Sequence, residues 1–278
     1  MADILYCINH SYTGLLMTNL FTLKRSAGFD DLHVHIIHRD LTQEDMDRIR
    51  RLEDDSLCIS FIRFDAGLLD GSPTTSRYPV EIYFRLFAPV LLPDDIDRIL
   101  YLDVDIICIN SLVELYNIDI ENYYIAGCTH TKRMLTRINA IRLGMGSDSR
   151  ACYINTGVML MNLAKLRSGW NPDRLFSFIR DKGQAFVLPD QDIVMALYGQ
   201  RIRLVDHMRY NLSDRMLVMN NLDPDRRHLS LDDVRRECAL IHYCGRNKPW
   251  KDRYSGQLGV FYHEAASQLE RYLDQLGG

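Results

Sequence analysis

The chain has 278 residues, 47% hydrophobic and 25% charged, with a formal net charge of −4. That length carries one large α/β domain or two small ones with a sizeable core. The slightly acidic balance excludes a global basic field of the kind that draws a protein to nucleic acid or to an anionic membrane.

The opening MADILYCINH has no basic region and no long apolar run, so it does not read as a signal peptide. No window reaches the roughly 18 apolar residues of a membrane span. Cys7, Cys58, Cys108, Cys128, Cys152, Cys238 and Cys244 include no C-x-x-C pair. Most sit in apolar runs as small hydrophobes, which points to free thiols in a reducing cytosol.

In chain order, Ile4–Ile8 reads as a strand, Tyr12–Arg25 as a helix and His33–Ile37 as a second strand. Thr42 caps a helix to about Leu52, with Asp45 three positions on, close to a capping box. Leu57–Phe64 is a third strand. This β-α-β-α-β rhythm predicts a mostly parallel sheet with helices on both faces. Gly67–Pro79 is rich in turn formers and reads as a loop near the site, and Val80–Leu92 as a helix. Arg98–Ile109 is the most strand-like run of all. Tyr124–Cys128 and Cys152–Met161 are further strands, with loop and helix over 131–150 between them. Pro189–Leu197 starts a helix, with Asp190 as a candidate N-cap. Ile202–Val205 and Ala239–Tyr243 are late strands, 213–237 is a charged surface excursion, and 257–276 is a terminal helix. No Gly/Ser/Pro linker divides the chain, so a single domain over 1–278 is expected, with a nucleotide-binding half over about 1–110 and an acceptor-binding half over 111–278.

The central clue is Arg-Ile-Leu-Tyr-Leu-Asp-Val-Asp-Ile-Ile-Cys-Ile, residues 98–109. Asp103 and Asp105 stand in apolar surroundings. In a continuous strand the side chains at i and i+2 point to one side. Two like charges there repel, and each costs several kcal/mol to desolvate. A divalent cation is the natural compensation, and oxygen ligands suit Mg²⁺ or Mn²⁺. Alternatively one carboxylate binds the metal directly and the other acts through water or a sugar hydroxyl. The bland alternative ends the strand at Leu102 and leaves both aspartates as solvated loop residues.

A second clue is Leu240-Ile-His-Tyr-Cys-Gly-Arg-Asn-Lys-Pro-Trp250, where an apolar strand ends in His242 and a Gly245 turn leads to Lys248. An imidazole added to two carboxylates favours Mn²⁺ over Mg²⁺, and Lys248 is a compact charge suited to a diphosphate. Taken alone, His242 is equally a core histidine and Lys248 a solvated lysine.

Together these blocks resemble the retaining glycosyltransferases of family 8, including the bacterial lipooligosaccharide α-galactosyltransferases and glucosyltransferases and, more distantly, glycogenin. The resemblance runs through Tyr83-Phe-Arg-Leu, Tyr101-Leu-Asp-Val-Asp, Asn155-Thr-Gly-Val, Asp190-Gln-Asp and His242-Tyr-Cys-Gly-x-x-Lys-Pro-Trp. It implies a GT-A fold, an α/β architecture whose mixed, mostly parallel sheet of Rossmann type is flanked by helices. It implies Asp103, Asp105 and His242 as Mn²⁺ ligands, with Mg²⁺ as the alternative ion. Asn9 and Tyr12 would meet the uracil, and Val104 would lie on the donor between the two aspartates. Arg85 falls near the donor sugar or diphosphate, Gly245 and Lys248 on the diphosphate, and Asn155, Asp190 and Gln191 in the sugar pocket. Gln191, Asp190 and Arg85 are then the catalytic candidates, and the product linkage is α. The implied donor is UDP-glucose or UDP-galactose and the acceptor a glycan or glycolipid, with no nucleic acid and at most peripheral membrane contact, in the cytoplasm or at the inner face of the membrane.

The chain departs from the family at Asn9, where relatives often have Asp, at Ser11, where an Asn is common, and at His130, where close relatives often carry Asp in the sugar pocket. An Asn9 carboxamide oxygen still accepts from the uracil N3–H. Competing readings are a UDP-sugar-binding protein without transfer activity, a Rossmann-type nucleotidyltransferase or oxidoreductase, and an interaction domain. The absence of G-x-G-x-x-G after the first strand counts against a dinucleotide enzyme. The loops at 67–79, 131–150 and 213–237 are the expected acceptor contacts.

Overall fold

The computed structural model describes residues 1–69, 80–146 and 149–277. Most of the loop expected over 67–79, and residues 147 and 148 of the stretch 131–150, lie outside the described residues.

Among the described residues the central sheet has seven strands. They are β1 (Ala2–Ile8), β2 (Leu32–His38), β3 (Leu57–Arg63), β4 (Arg98–Leu102), β6 (Ile125–Cys128), β7 (Asn155–Asn162) and β8 (Ile202–Val205). A separate antiparallel pair joins β5 (Ile106–Cys108) to β9 (Leu240–His242). The order in the large sheet is β3-β2-β1-β4-β7-β6-β8. Only β7 runs antiparallel to its neighbours, so the sheet is mixed and mostly parallel. Its strands are near-continuous apolar runs because both faces are covered. One face packs Ile4, Tyr6 and Ile36 under helix Thr13–Ser26, and the other packs Leu5, Ile37 and Tyr101 against Tyr83, Phe84 and Phe87.

Local signals held where they were chemical. Thr42 Oγ1 accepts from the Asp45 amide and Asp45 Oδ2 accepts from the Thr42 amide, a complete capping box for helix Gln43–Arg50. The charged stretch 213–237 carries two short helices, Asp214–Asn221 and Leu231–Glu237, and Leu217 and Val234 are buried in a small third core. The terminal helix spans Gly259–Gly277.

Three expectations are corrected. The run 98–109 is two strands, not one. It leaves the large sheet after Leu102, turns through Asp103–Asp105 and enters the small sheet at Ile106. Val80–Leu92 is a 3₁₀ segment, Val80–Phe87, followed by a single α turn at Ala88–Leu91. The stretch is thus helical as expected but not one α-helix, since Pro89 has no N–H to close an α-helical bond back to Arg85. Asp190 is not the N-cap of its helix. Leu188 holds that position and Asp190 lies inside the first turn of Pro189–Tyr198.

Candidate active site

The turn Asp103–Asp105 is fixed from both sides. The Asp103 amide donates to the Gly157 carbonyl of β7 at 2.8 Å, and the Tyr243 amide donates to the Asp105 carbonyl at 3.0 Å. Asn19 Nδ2 donates to the Asp103 carbonyl at 3.0 Å, and Asn19 is itself held by the Tyr6 hydroxyl at 2.7 Å. The β5–β9 pairing sets Ile106 opposite His242. The imidazole thus arrives beside both carboxylates, with Nε2 3.0 Å from Asp105 Oδ1 and 3.7 Å from Asp103 Oδ2.

His242 Nδ1 lies 2.9 Å from Asn211 Oδ1, so the ring donates its Nδ1 proton there and turns the Nε2 lone pair on the aspartates. Three acceptor atoms then converge, and only a cation or a second ring proton reconciles them. The three offer ligand atoms within 4.8 Å of one another. Gly157 makes the close approach possible, because a Cβ there would stand 2.3 Å from His242 Cε1 and 2.7 Å from Asp103 Oδ2. One imidazole and two carboxylates suit a divalent ion of the Mn²⁺ or Mg²⁺ type, with the imidazole favouring the former. The residues present fit a resident divalent metal.

A second layer lies behind Asp103. Arg85 is 5% exposed, and its Nη1 reaches Asp103 Oδ1 at 3.1 Å, Asp190 Oδ2 at 3.4 Å and the Thr156 carbonyl at 3.0 Å. The guanidinium lies over the Tyr101 ring at 4.3 Å, and the Tyr101 hydroxyl donates to Asp103 Oδ1 at 2.6 Å. Thr156 Oγ1 donates to Asp190 Oδ2 at 2.5 Å. Burial pushes the Asp190 carboxyl above its ordinary value, and Arg85 opposes this. In front, Lys248 pairs with Asp105 Oδ2 and donates to the Tyr243 carbonyl at 2.7 Å. Burial raises Asp105, but a ring proton on the Nε2 of His242 facing it, the alternative to a bound cation, and the Lys248 ammonium outweigh it and hold the carboxyl well below the usual range. The centre is thus a layered array of two cations and three carboxylates around one imidazole.

The sequence profile of glycosyl transferase family 8 matches residues 3–253. The chain belongs to glycosyl transferase family 8. It is 26% identical over 261 residues to a putative glycosyltransferase of Haemophilus influenzae, covering 91% of this chain and 74% of that one. It is 24% identical over 276 residues to the lipopolysaccharide 1,2-glucosyltransferase of Escherichia coli, covering 98% of this chain and 79% of the relative. Its fold superposes on that of the galactosyltransferase LgtC, solved with donor and acceptor sugar analogues, with a TM-score of 0.80 at 20% identity over 96% of this chain and 95% of the other. The GT-A fold and the transferase class follow. Among the described residues no helix is long and apolar enough to cross a membrane.

The remaining expected site residues of this family 8 chain have the following places in the structure. Tyr12 stands at the start of helix Thr13–Ser26, over a third exposed, with Asp105 and Lys248 near enough to act on its hydroxyl. Val104 sits half-buried in the aspartate turn. Gly245 has φ of 105°, which an L side chain rarely adopts, and a Cβ there would meet no atom within 4 Å, so the turn offers open backbone. Asn155 Oδ1 accepts from the Gly157 amide at 3.1 Å and from Asn211 Nδ2 at 3.0 Å, which links Asn155 to His242 through Asn211. Gln191 is half-buried in the helix turn after Asp190. Asn9 Oδ1 already accepts from the Ser11 amide at 3.0 Å, while its Nδ2 donates to Glu81 Oε1 at 3.1 Å.

Asn211 and Glu81 carry no sequence signal that reached them, whereas His130 was marked by its departure from the family pattern. Asn211, fully buried, orients the imidazole, yet it lies in no recognisable motif. Glu81 is a buried carboxylate held by Asn9 and by Arg39 Nε at 2.9 Å. His130 Nε2 donates to the Asn211 carbonyl at 2.8 Å, and burial lowers its pKa to about 4, so the ring is neutral at pH 7.

Asp192 proves to be structural. Fully buried, it accepts from the amides of Val187 and Leu188 and from Tyr153, and takes a bidentate pair from Arg142 at 2.6 and 2.9 Å. Asp192→Ala is expected to cost about 3–5 kcal/mol in urea denaturation, because a buried ion pair and its hydrogen bonds lose one partner. Gly157→Ala is expected to weaken Mn²⁺ binding about tenfold or more in calorimetric titration, with about 1–3 kcal/mol of lost stability from overpacking.

Proposed function

We propose that the chain is a retaining hexosyltransferase that moves glucose or galactose from a UDP-sugar to a glycan or glycolipid acceptor, with Mn²⁺, forming an α-linkage. The convergence of Asp103, Asp105 and His242 Nε2 on one point, with Arg85 and Lys248 on either side, carries the reading. A metal bound there supplies Lewis-acid stabilisation of the leaving diphosphate. Lys248 and the open backbone at Gly245 bind the diphosphate oxygens, and Tyr12 stacks on the base. The hexosyl ring lies toward Asn155, Asp190 and Gln191, and Val104 lines the donor between the aspartates.

As the bond from the anomeric carbon to the diphosphate oxygen breaks, negative charge grows on the oxygen and positive charge on the carbon. Arg85 holds Asp103 and Asp190 in place, and Asp190 faces the developing cation with Gln191. An amide is a poor nucleophile, so Gln191 stabilises the cation. The acceptor hydroxyl attacks from the face the diphosphate leaves, passing its proton to the departing phosphate oxygen.

The lipopolysaccharide glucosyltransferase and the galactosyltransferase among the similar proteins support glucose or galactose as the donor hexose. The test is UDP release from a panel of UDP-sugars, with Mn²⁺ and with EDTA, since slow donor hydrolysis needs no acceptor. Mn²⁺-dependent release from UDP-glucose or UDP-galactose is the expected result. Absence of any Mn²⁺-dependent UDP binding overturns the reading.

A further inference from the structure

We propose that Asp3, His33 and His35 form a second metal site, suited to Zn²⁺ or a similar late divalent transition ion, at the end of the sheet remote from the aspartate turn. Asp3 is the second residue of β1 and pairs in register with His33 of β2, and His35 follows two residues on. Strand alternation puts all three on one face of two adjacent parallel strands. The candidate active-site residues Asn9 and Asp103 follow the opposite, carboxyl ends of β1 and β4.

The geometry is that of a preformed ligand set. His35 Nε2 lies 2.9 Å and His33 Nδ1 3.8 Å from the same oxygen, Asp3 Oδ1, and all three residues offer ligand atoms within 4.8 Å of one another. Metal–ligand bonds of about 2.0–2.1 Å in a tetrahedron separate ligand atoms by about 3.3 Å, and the observed distances bracket that value. A hydrogen bond from His35 to Asp3 accounts for two of the three groups. It leaves His33 Nδ1 turned on an oxygen already engaged.

The outer partners favour the same reading. His33 Nε2 lies 2.7 Å from Ser60 Oγ on β3, so an Nε2 proton given to the hydroxyl leaves the Nδ1 lone pair facing Asp3. Burial, and then the neighbouring His35, push His33 below its ordinary value, while Asp3 opposes this. The two rings lie side by side with centroids 4.0 Å apart and planes tilted by 40°. The Asp3 amide donates to the Tyr116 hydroxyl at 3.0 Å and fixes the strand end. His35 is almost fully buried, while His33 keeps a quarter of its side chain open to solvent as the route of entry.

Two imidazoles and one carboxylate make a softer set than the two carboxylates and one imidazole at the aspartate turn. Zn²⁺ prefers the first, and Mn²⁺ is held better by the second. Bound there, the ion joins β1 to β2 and stabilises the sheet.

The test uses chelator-stripped protein carrying Asp105→Asn, which weakens the other site, dialysed against micromolar Zn²⁺ and analysed for metal by mass spectrometry. About one Zn²⁺ per chain is expected, with a Tm rise of roughly 4–5 °C at a hundredfold excess over Kd. Adding His33→Ala is expected to remove both the metal and the Tm rise, and His33→Asn to do the same should the alanine protein fail to fold. No Zn²⁺ retained by the Asp105→Asn protein, or equal retention after His33 is replaced, overturns the proposal.

Discussion

Asp103→Ala is expected to lower Mn²⁺-dependent UDP release by about a thousandfold or more, since it removes a proposed metal ligand and one of the partners of Arg85 together. The fold should tolerate the change. The turn keeps its backbone bonds to Asn19, Gly157 and Tyr243, and Arg85 keeps Asp190 and the Thr156 carbonyl. A Tm within a few degrees of the parent, together with lost turnover, separates a site defect from unfolding. EDTA treatment of the parent should reproduce the loss, and Mn²⁺ should restore the parent but not the variant. Metal-dependent release surviving at the parent rate would remove Asp103 from the proposed ligand set.

Arg85→Ala should be damaging in two ways at once. The guanidinium is the cation that Asp103 and Asp190 share inside the protein. Its removal leaves two carboxylates facing each other across a cavity, at a cost of about 3–5 kcal/mol. UDP release should fall by about 10²–10³-fold as transition-state charge stabilisation is lost. Arg85→Lys keeps the charge but not the planar fork or the stacking on Tyr101, so it should recover stability more than turnover.

The sign of the pH dependence follows from Asp190. Burial raises its carboxyl in the parent and Arg85 restrains the rise, so the shift grows when Arg85 is absent. A carboxyl with a raised folded value binds more protons folded than unfolded, and it destabilises the fold only while ionised. The stability gap between Arg85→Ala and the parent should therefore narrow as pH falls from about 7 toward 5 in urea denaturation. A gap that widens on acidification would show that Arg85 is not compensating Asp190.

The order of strands and helices through Phe64 was legible because its signals are local, whereas the GT-A class was implied by the family resemblance of the motif blocks. Continuous apolar runs mark strands buried on both faces, and Thr42 and Asp45 lie three residues apart, within one turn. The motif blocks likewise pointed to a cluster of Asp103, Asp105, Arg85, Asp190 and His242, and the tertiary structure brings these residues together.

Other features belonged to the tertiary structure alone. Composition could not show that the apolar run 98–109 changes sheets after Leu102, because a strand feeding one sheet and a strand feeding another have the same hydrophobicity. It is that change of sheets, and not strand alternation, that sets both carboxylates before His242. Asn211, Glu81 and the Arg142–Asp192 pair were likewise invisible, since each acts on partners distant in sequence. Periodicity reports which side of an element is buried. Which polar groups meet across a buried surface is decided by how the elements pack, and that is where this site is made.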